Sequence, residues 1–293
     1  MTAPFVADAL GPRGRRLTVV ASAVFGVLLV AALVVALGRL SERGQLDETR
    51  WEMFRQWPVW RFYLLGLLTT IKVALIAMAG AMLIGAVMAL ARLSRARPVR
   101  WAAAAYVEFF RGVPLVLLVF FSYLGLPRYG VDISGFGALT LALVIYNGAV
   151  LGEIFRAGIL SLDRGQSEAA SSLGMTYWQS MLLVVVPQAA RRMVPAIVSQ
   201  LVTLLKDTSL GAAIGYEELL RRARVNGEFF LNPLQSLVVA AAMYIVVNFA
   251  LSRLARWLEM RQRRRYRAGQ IGVAGVEDLA VLQAQEPLAP EKD

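Results

Sequence analysis

The feature that most constrains this chain is an uncharged apolar run from Leu17 to Gly38. A helix needs about 20 apolar residues to cross the hydrocarbon core of a bilayer, and this run is long enough. It follows Arg13, Arg15 and Arg16, as the core of a signal peptide also would, but such a core has only about 7–15 residues. We therefore predict a retained membrane-spanning helix rather than a cleaved signal.

The rest of the chain contains further runs of the same kind. Hydrophobic residues make up 58% of the sequence and charged residues 17%, whereas about a quarter of a soluble domain is charged. The five further candidate spans are approximately Leu64–Leu90, Trp101–Leu126, Gly137–Phe155, Met193–Ile214 and Leu234–Trp257. The shorter run Met181–Val186 ends at Pro187, so we predict an interfacial or buried segment there. The expected fold class is an all-α integral membrane protein with six transmembrane helices.

Residue types that carry much enzyme chemistry are missing. The chain contains neither cysteine nor histidine, which removes disulfides, thiolate nucleophiles, Cys/His metal sites and imidazole bases. A site built only from carboxylates stays possible. The motif G-x-x-x-x-G-K-[ST] is also absent, so we expect no phosphate-binding loop and no ATP site in this chain.

The net charge of +11 would suggest a nucleic-acid partner for a soluble chain. In a membrane protein the positions of the basic residues matter more, because arginine and lysine favour cytoplasmic segments. If the N-terminus lies inside, arginines are more numerous in the predicted cytoplasmic segments than outside. We therefore expect a multi-pass protein with both termini in the cytoplasm and no nucleic-acid partner. The basic residues from Arg261 to Arg267 are expected to contact lipid headgroups.

These predictions divide the chain into five parts. A cytoplasmic tail covers 1–16, an N-terminal helix 17–38 and an external loop 39–63. A core covers 64–257 and contains a cytoplasmic loop at about 156–192. The last part, 258–293, is basic at first and is predicted to be disordered beyond Gln270.

Small residues form a stripe along one predicted helix of the core. They recur every four residues, at Ala77, Ala81, Gly85 and Ala89. Such a stripe lets another helix approach closely within a membrane. We expect ordinary packing within the chain there, with a subunit or gate interface as the alternative.

The cytoplasmic loop is predicted to contain two short helices separated by a break. Ser167 can cap the first helix, with Glu168 near its N-terminus, where the helix dipole favours a carboxylate. Gly174 can adopt the left-handed conformation that ends this helix, and Thr176 and Gln179 have the spacing of a capping box for the next. The predicted exposed face of the first helix consists of small residues, which are Ala169, Ala170, Ser171 and Ser172. A face this thin suits either a compact inner loop or a helix that docks in a cleft of another protein.

This loop resembles the signature loop of binding-protein-dependent ABC importers. The matching pattern is Glu168-Ala169-Ala170, three residues, Gly174, nine residues, then Val184-x-Val186-Pro187, with valines where isoleucine and leucine are usual. Four other segments resemble the polar amino-acid permease branch, and they are 108–114 (EFFRGVP), 153–158 (EIFRAG), 187–191 (PQAAR) and 206–210 (KDTSL). The resemblance covers about Leu64 to Trp257, the five-helix permease core of that branch, so the first helix is an addition. Segments 146–149 and 215–220 look most like actinobacterial glutamate-uptake permeases.

The resemblance implies a function and partners. The chain would be the permease subunit of an ATP-driven importer in the bacterial cytoplasmic membrane, moving glutamate or another polar amino acid inward by alternating access. The loop would be a coupling helix that docks on a cytoplasmic ABC ATPase through Glu168, Ala169, Ala170, Gly174 and Pro187. A second permease subunit, identical or related, would complete the pathway, and an extracellular or periplasmic binding protein would deliver the amino acid. The chain itself would be no enzyme and would hold no cofactor or metal, since ATP and Mg²⁺ belong to the ATPase.

Ionisable residues inside the predicted spans are functional candidates, because each costs roughly 2.5–3.5 kcal/mol at the centre of a membrane helix. Glu108 and Arg111 lie three residues apart and can pair, as can Glu153 and Arg156. A helix break is expected after Arg111, where a glycine and a proline follow and can expose backbone groups to a cavity. The candidate residues of the substrate pathway are Glu108, Arg111, Asn147, Lys206, Asp207 and Thr208.

The chemistry of an amino acid suggests roles for these residues. Arg111 or Lys206 could meet the substrate carboxylate. Asn147, Asp207 or Thr208 could meet or orient the ammonium group. Structural ion pairs and helix ends at the membrane interface are the alternative interpretation.

Two other functions fit part of this pattern. The first is an ion- or proton-coupled secondary amino-acid transporter that uses intramembrane carboxylates, although the chain has no detectable inverted repeat. The second is an intramembrane enzyme built on paired carboxylates, although no pair has an obvious reactive spacing.

Overall fold

The computed structural model describes residues 11–284. The predicted all-α fold class is confirmed, because the described chain folds into helices joined by turns. The helices are α1 Pro12–Glu42, α2 Trp57–Arg92, α3 Arg97–Gly112, α4 Leu115–Phe120, α5 Gly135–Leu160, α6 Arg164–Ser172, α7 Tyr177–Ser180, α8 Val186–Asp207, α9 Leu219–Phe229 and α10 Pro233–Ala284. Most of the predicted tail 1–16 lies outside the described residues.

The number of membrane spans agrees with the prediction. Within residues 11–284, five helical segments are long and apolar enough to cross a membrane, and a sixth span results if α3 and the segment from Leu115 to Tyr129 count as one bent pair. Most helices extend past the predicted spans at both ends, whereas the fifth span extends only at its start. Consequently the connections are shorter than expected: the loop predicted at 39–63 reduces to residues 43–56, and the loop at about 156–192 reduces to the region between α5 and α8.

The described residues up to Trp60 form one compact unit. Its helix α1 carries a proline in the first turn, a position where the missing N–H has no helical partner in any case. No residue of its apolar window is buried. The connection to α2 contains two short 3₁₀ turns, and within it Arg55 pairs with Glu48. The Trp60 indole, near the start of α2, donates a hydrogen bond to the carbonyl of Phe54 in the second turn at 2.6 Å.

The second unit begins at Arg61, and its core is formed by close packing of α2 against α5. Ala77 and Ala81 are fully buried, and Ala89 is nearly so. A Cβ atom added at Gly85 would lie 2.8 Å from Cβ of Leu151, closer than two side chains can approach. The stripe of small residues therefore packs within the chain, as expected.

The third predicted span is broken where the sequence indicated. Helix α3 ends at Gly112, and α4 continues after Pro114 at an angle of 99°. Pro114 has no N–H to donate, and a proline disfavours helical backbone in the residue before it. Val113 is accordingly extended, with φ −80° and ψ 130°.

The segment Met181–Val186, which was predicted to be interfacial or buried, is continuous with the helices on both sides, and its residues Met181 and Val185 are buried. A π-helical turn over Met181–Val185 joins α7 to α8, so that the stretch from Tyr177 to Ile214 forms one candidate span. Pro187 lies in the first turn of α8. A π turn locally rearranges the hydrogen-bond ladder, and a proline at this position therefore does not end the helix.

Helix α10 continues to Ala284, and it therefore includes part of the tail beyond Gln270 for which disorder was predicted. The segment 271–284 contains three alanines and two leucines, which favour helices, together with two glycines and three valines, which favour them less. Extending an existing helix also needs no new nucleus. Residues 285–293 lie outside the described residues, and so do the side chains from 262 onward on which most of the predicted headgroup contacts fall.

Candidate functional site

The first feature of the site is the coupling segment, which we define as residues 163–180. Its first helix, α6, is capped by Asp163, whose carboxylate accepts a hydrogen bond from the N–H of Gly165 at 2.8 Å. The predicted cap at Ser167 was wrong, and Glu168 lies in the middle of α6 rather than near its N-terminus. The reason is that Asp163 stands one turn earlier in extended backbone and offers the stronger, charged acceptor.

The predicted break between the two helices is confirmed. Gly174 has φ +77°, and the N–H groups of Gly174 and Met175 donate to the carbonyls of Ser171 and Ala170 at 2.9 and 3.2 Å. These bonds satisfy carbonyl groups that the end of α6 leaves unpaired. The left-handed glycine therefore fixes the angle at which the chain leaves α6.

The capping box at the start of α7 is also confirmed. The side chain of Gln179 accepts a hydrogen bond from the N–H of Thr176 at 2.8 Å. In return the N–H of Gln179 donates to the hydroxyl of Thr176 at 3.4 Å. Local sequence thus determines both ends of the break.

Most of the predicted coupling residues are exposed. Glu168, Ala169, Gly174 and Pro187 face outward. Ala170 was wrongly placed on the exposed face, because its side chain is only 3% exposed. Residues 169 and 170 are neighbours on a helix and point about 100° apart, so one can face outward while the other anchors α6 to the chain.

Two contacts attach the coupling segment to other helices. The Gln188 amide of α8 donates to the side-chain oxygen of Gln166 at 3.0 Å. The Arg95 guanidinium, in the connection between α2 and α3, lies 5.1 Å from the ring centroid of Tyr177. The segment is therefore linked to two different parts of the core.

The predicted pair between Glu153 and Arg156 is present, with a shortest N···O distance of 2.5 Å. Glu153 also pairs across helices with Arg92 at 2.6 Å. The predicted pair between Glu108 and Arg111 does not occur among the ion pairs of residues 11–284. Both side chains are exposed on the surface of the chain.

Asn147 is fully buried and bonded within the core. Its side-chain oxygen accepts a hydrogen bond from the amide of Gln200 at 2.7 Å, and its amide donates to the carbonyl of Leu143 at 2.9 Å. The contact joins α5 to α8. Sequence reasoning missed Gln200, because nothing in the local pattern indicates which residue on a distant helix meets Asn147.

We predict that Asn147→Leu lowers the stability of the purified protein by about 1–3 kcal/mol, because the amide of Gln200 loses its partner. Thermal unfolding in detergent measures this change. The double variant with Gln200→Leu serves as the control and should lose less than the sum of the two single variants. Strict additivity would contradict the pairing.

The second feature is a groove between α8 and α10, which encloses about 840 Å³. Its polar and charged lining residues are Lys206, Ser209, Tyr244, Asn248, Ser252 and Arg256. Four of these residues lie on α10 and recur every four positions, which are Tyr244, Asn248, Ser252 and Arg256. They form a stripe about 18 Å long, at 1.5 Å per residue. A smaller cavity of about 210 Å³ shares Ser252 and Arg256 and extends the groove.

The structure separates the predicted pathway residues. Lys206 lines the groove. Asp207 is half-buried, and Thr208 is buried with its hydroxyl donating to the carbonyl of Leu205 at 2.7 Å. Glu108, Arg111 and Asn147 are not among the residues that line the groove. The spacing on α10 was a usable signal that the sequence analysis missed.

Glu218 secures one end of the groove. Its carboxylate caps α9 by accepting hydrogen bonds from the N–H groups of Leu220 and Arg221 at 2.9 and 2.7 Å. It also accepts a bond from the Tyr244 hydroxyl at 2.7 Å. Burial raises the pKa of Glu218, and the hydrogen bonds to Leu220, Tyr244 and Arg221 act in the opposite direction. Tyr244 is thereby held at the groove.

Helices long and apolar enough to cross a membrane, a groove lined by polar and apolar side chains, and two short capped helices are together consistent with a membrane transport protein. The chain belongs to the family described as "Binding-protein-dependent transport system inner membrane component", whose sequence profile matches residues 81–264.

Named relatives support the same family. The chain is 40% identical to the glutamate transport system permease protein GluD of Corynebacterium glutamicum over 82% of this chain and 89% of that protein. It is 38% identical to the glutamate/aspartate import permease protein GltK of Escherichia coli over 68% and 93% of the two chains. Among solved structures, a crystal structure of an amino acid ABC transporter with histidines matches with a TM-score of 0.65 and 34% identity, covering 70% of this chain and 94% of that one.

Proposed function

We propose that this chain is the membrane-spanning subunit of an ATP-driven importer and that it translocates glutamate or a similar acidic amino acid. The observation that carries the proposal is the groove between α8 and α10, in which cationic and neutral polar side chains lie among apolar ones on helices long and apolar enough to cross a membrane. Polar residues are expensive in such a region and are typical of substrate pathways. The family gives the type of transporter, and the groove suggests the substrate.

The charge of the groove favours an anionic substrate. Lys206 and Arg256 line it, and among the side chains that the structure describes, none of those that line it is aspartate or glutamate. Glutamate carries two carboxylates and one ammonium group, so the cations attract it while hydroxyl and amide oxygens accept from its ammonium. An amino acid with a cationic side chain would be repelled by the same lining. The names of GluD and GltK agree with this choice.

The coupling segment supports a partner that supplies energy. Its exposed small residues and defined break suit docking in a groove of a cytoplasmic ABC ATPase, which would hold the ATP and Mg²⁺. A second permease subunit and an external binding protein would complete the importer. In this arrangement both termini lie in the cytoplasm and the chain itself performs no hydrolysis.

Purification from the native host tests the proposal. We expect the tagged chain, extracted in mild detergent, to bring with it a stoichiometric ATPase with a phosphate-binding loop. After reconstitution in vesicles with the binding protein, uptake should require ATP and should prefer glutamate to arginine. A lone chain from an intact preparation, with uptake driven by an ion gradient in the absence of ATP, would instead support a secondary transporter, which the comparisons do not favour.

We expect Glu168→Lys to weaken association with the ATPase, because it reverses a charge at the exposed face of α6. Glu168→Gln removes the charge without reversing it and should have a smaller effect. The fraction of ATPase that co-purifies with each variant measures how strongly each substitution weakens the association. Equal recovery of the ATPase with the unmodified chain and with both variants would exclude Glu168 from the interface.

A further inference from the structure

We propose that the connection between α2 and α3 transmits movement of the coupling segment to α5, with Arg92 and Arg95 as positioning residues. We call residues 92–96 the relay turn. This inference rests on the proposed function, since it assigns a route for the energy that the ATPase supplies. The relay turn contacts the coupling segment at one end and α5 at the other.

The first contact joins the relay turn to the start of α7. The Arg95 guanidinium lies over the ring of Tyr177, and a planar guanidinium binds an aromatic face well. Tyr177 is the first residue of α7, directly after the capping box at Thr176, and its ring packs edge-on against Trp178 at 5.4 Å between centroids. Arg95 therefore contacts a well-fixed part of the coupling segment.

The second contact joins the relay turn to α5. Arg92 pairs with Glu153 at 2.6 Å, and their side chains are only 17% and 25% exposed. Arg156 holds the same carboxylate from one turn further along α5. A partly buried carboxylate with two guanidinium partners is screened less by salt than a surface pair. Movement of Arg92 is therefore imposed on α5.

The relay turn has hydrogen bonds of its own. The N–H of Leu93 donates to the carbonyls of Ala89 and Leu90 at 3.1 and 3.2 Å. The N–H of Ser94 donates to the carbonyl of Ala91 at 3.2 Å, and the Ser94 hydroxyl accepts from the N–H of Ala96 at 3.2 Å. A turn bonded in this way moves as a unit rather than absorbing the displacement of one end.

The route continues to the groove through contacts already described. Helix α5 carries Asn147, which is bonded to Gln200 of α8. Lys206 lies further along α8 and lines the groove. The coupling segment is also linked directly to α8, by the π turn that joins α7 to α8 and by the contact of Gln166 with Gln188. The relay turn thus allows α5 to move together with α8 when the ATPase displaces the coupling segment.

Measuring the amino acid transported per ATP hydrolysed tests the proposal in the complete reconstituted complex. Removing either partner, by Arg95→Ala or Tyr177→Leu, should reduce this ratio by about 3- to 10-fold, a typical range for loss of coupling between sites. The ATPase should still co-purify in normal amount. Arg95→Lys preserves the cation and Tyr177→Phe preserves the ring. In both variants the amount of amino acid transported per ATP should stay close to that of the unmodified complex.

The matched control is Arg97→Ala, which removes an exposed arginine two positions further along the chain and should leave the ratio unchanged. The double variant Arg95→Ala/Tyr177→Leu should be no worse than either single variant. An unchanged ratio in Arg95→Ala, or additive losses in the double variant, would overturn the relay. Absence of ATP-dependent uptake by the unmodified complex would instead refute the proposed function, so the two failures are distinguishable.

Discussion

We expect Gly174→Val to abolish ATP-dependent uptake while the chain still inserts into the membrane. Gly174 has φ +77°, a region that a β-branched residue avoids. A Cβ atom at this position would meet nothing within 4 Å, so the effect comes from the backbone and not from a clash. Left-handed backbone costs an ordinary residue roughly 1–2 kcal/mol, and valine should therefore change the angle between α6 and α7.

Gly174→Asn is the matched control, because asparagine adopts left-handed backbone more readily than other residues with a side chain. It should retain much of the uptake. Membrane insertion is measured by the amount of chain in washed membranes, and transport by uptake into vesicles. Normal uptake with valine would show that the angle between the two helices is unimportant for coupling.

The second large effect is expected from Lys206→Met. If the lysine meets a substrate carboxylate in the groove, its loss removes a charge-assisted interaction that contributes about 1.5–3 kcal/mol, and uptake efficiency for glutamate should fall about 10- to 100-fold. Lys206→Arg keeps the charge and should lose less. Initial rates of uptake at several glutamate concentrations measure the change.

Lys72→Met provides the control for loss of a lysine within a span. Lys72 lies on α2, with its ammonium 5.6 Å from the ring centroid of Phe136, and it does not line the groove. Its loss should leave uptake nearly unchanged. Equal losses in the two variants would attribute the effect to general destabilisation rather than to substrate binding.

The sequence predicted features that depend on local chemistry. Apolar length identified the spans, and Pro114 indicated the break between α3 and α4. Gly174 and the capping box at Thr176 were found because each depends on residues within one helical turn. The cap of α6 was misplaced to Ser167 because two residues could serve, and only the folded backbone selected Asp163.

Long-range contacts were harder to predict. The approach of Gln200 to Asn147 and of Arg92 to Glu153 depends on how helices distant in sequence pack, which local patterns do not determine. The groove likewise requires α8 and α10 to lie side by side. Lys206 could be identified as a candidate because charged residues are rare within membrane spans. Tyr244 and Asn248 are neutral, and their sequence context does not distinguish them from other residues of the span.

Helix α1 changes whether the number of membrane spans in the chain is odd or even. If α1 and the bent pair each cross the membrane once, the described chain has an even number of spans, and its two ends would lie on the same side of the membrane. The core alone has an odd number, which would leave the ends on opposite sides. Under this count, α1 would decide which compartment's proteases and modifying enzymes reach the segment that precedes it.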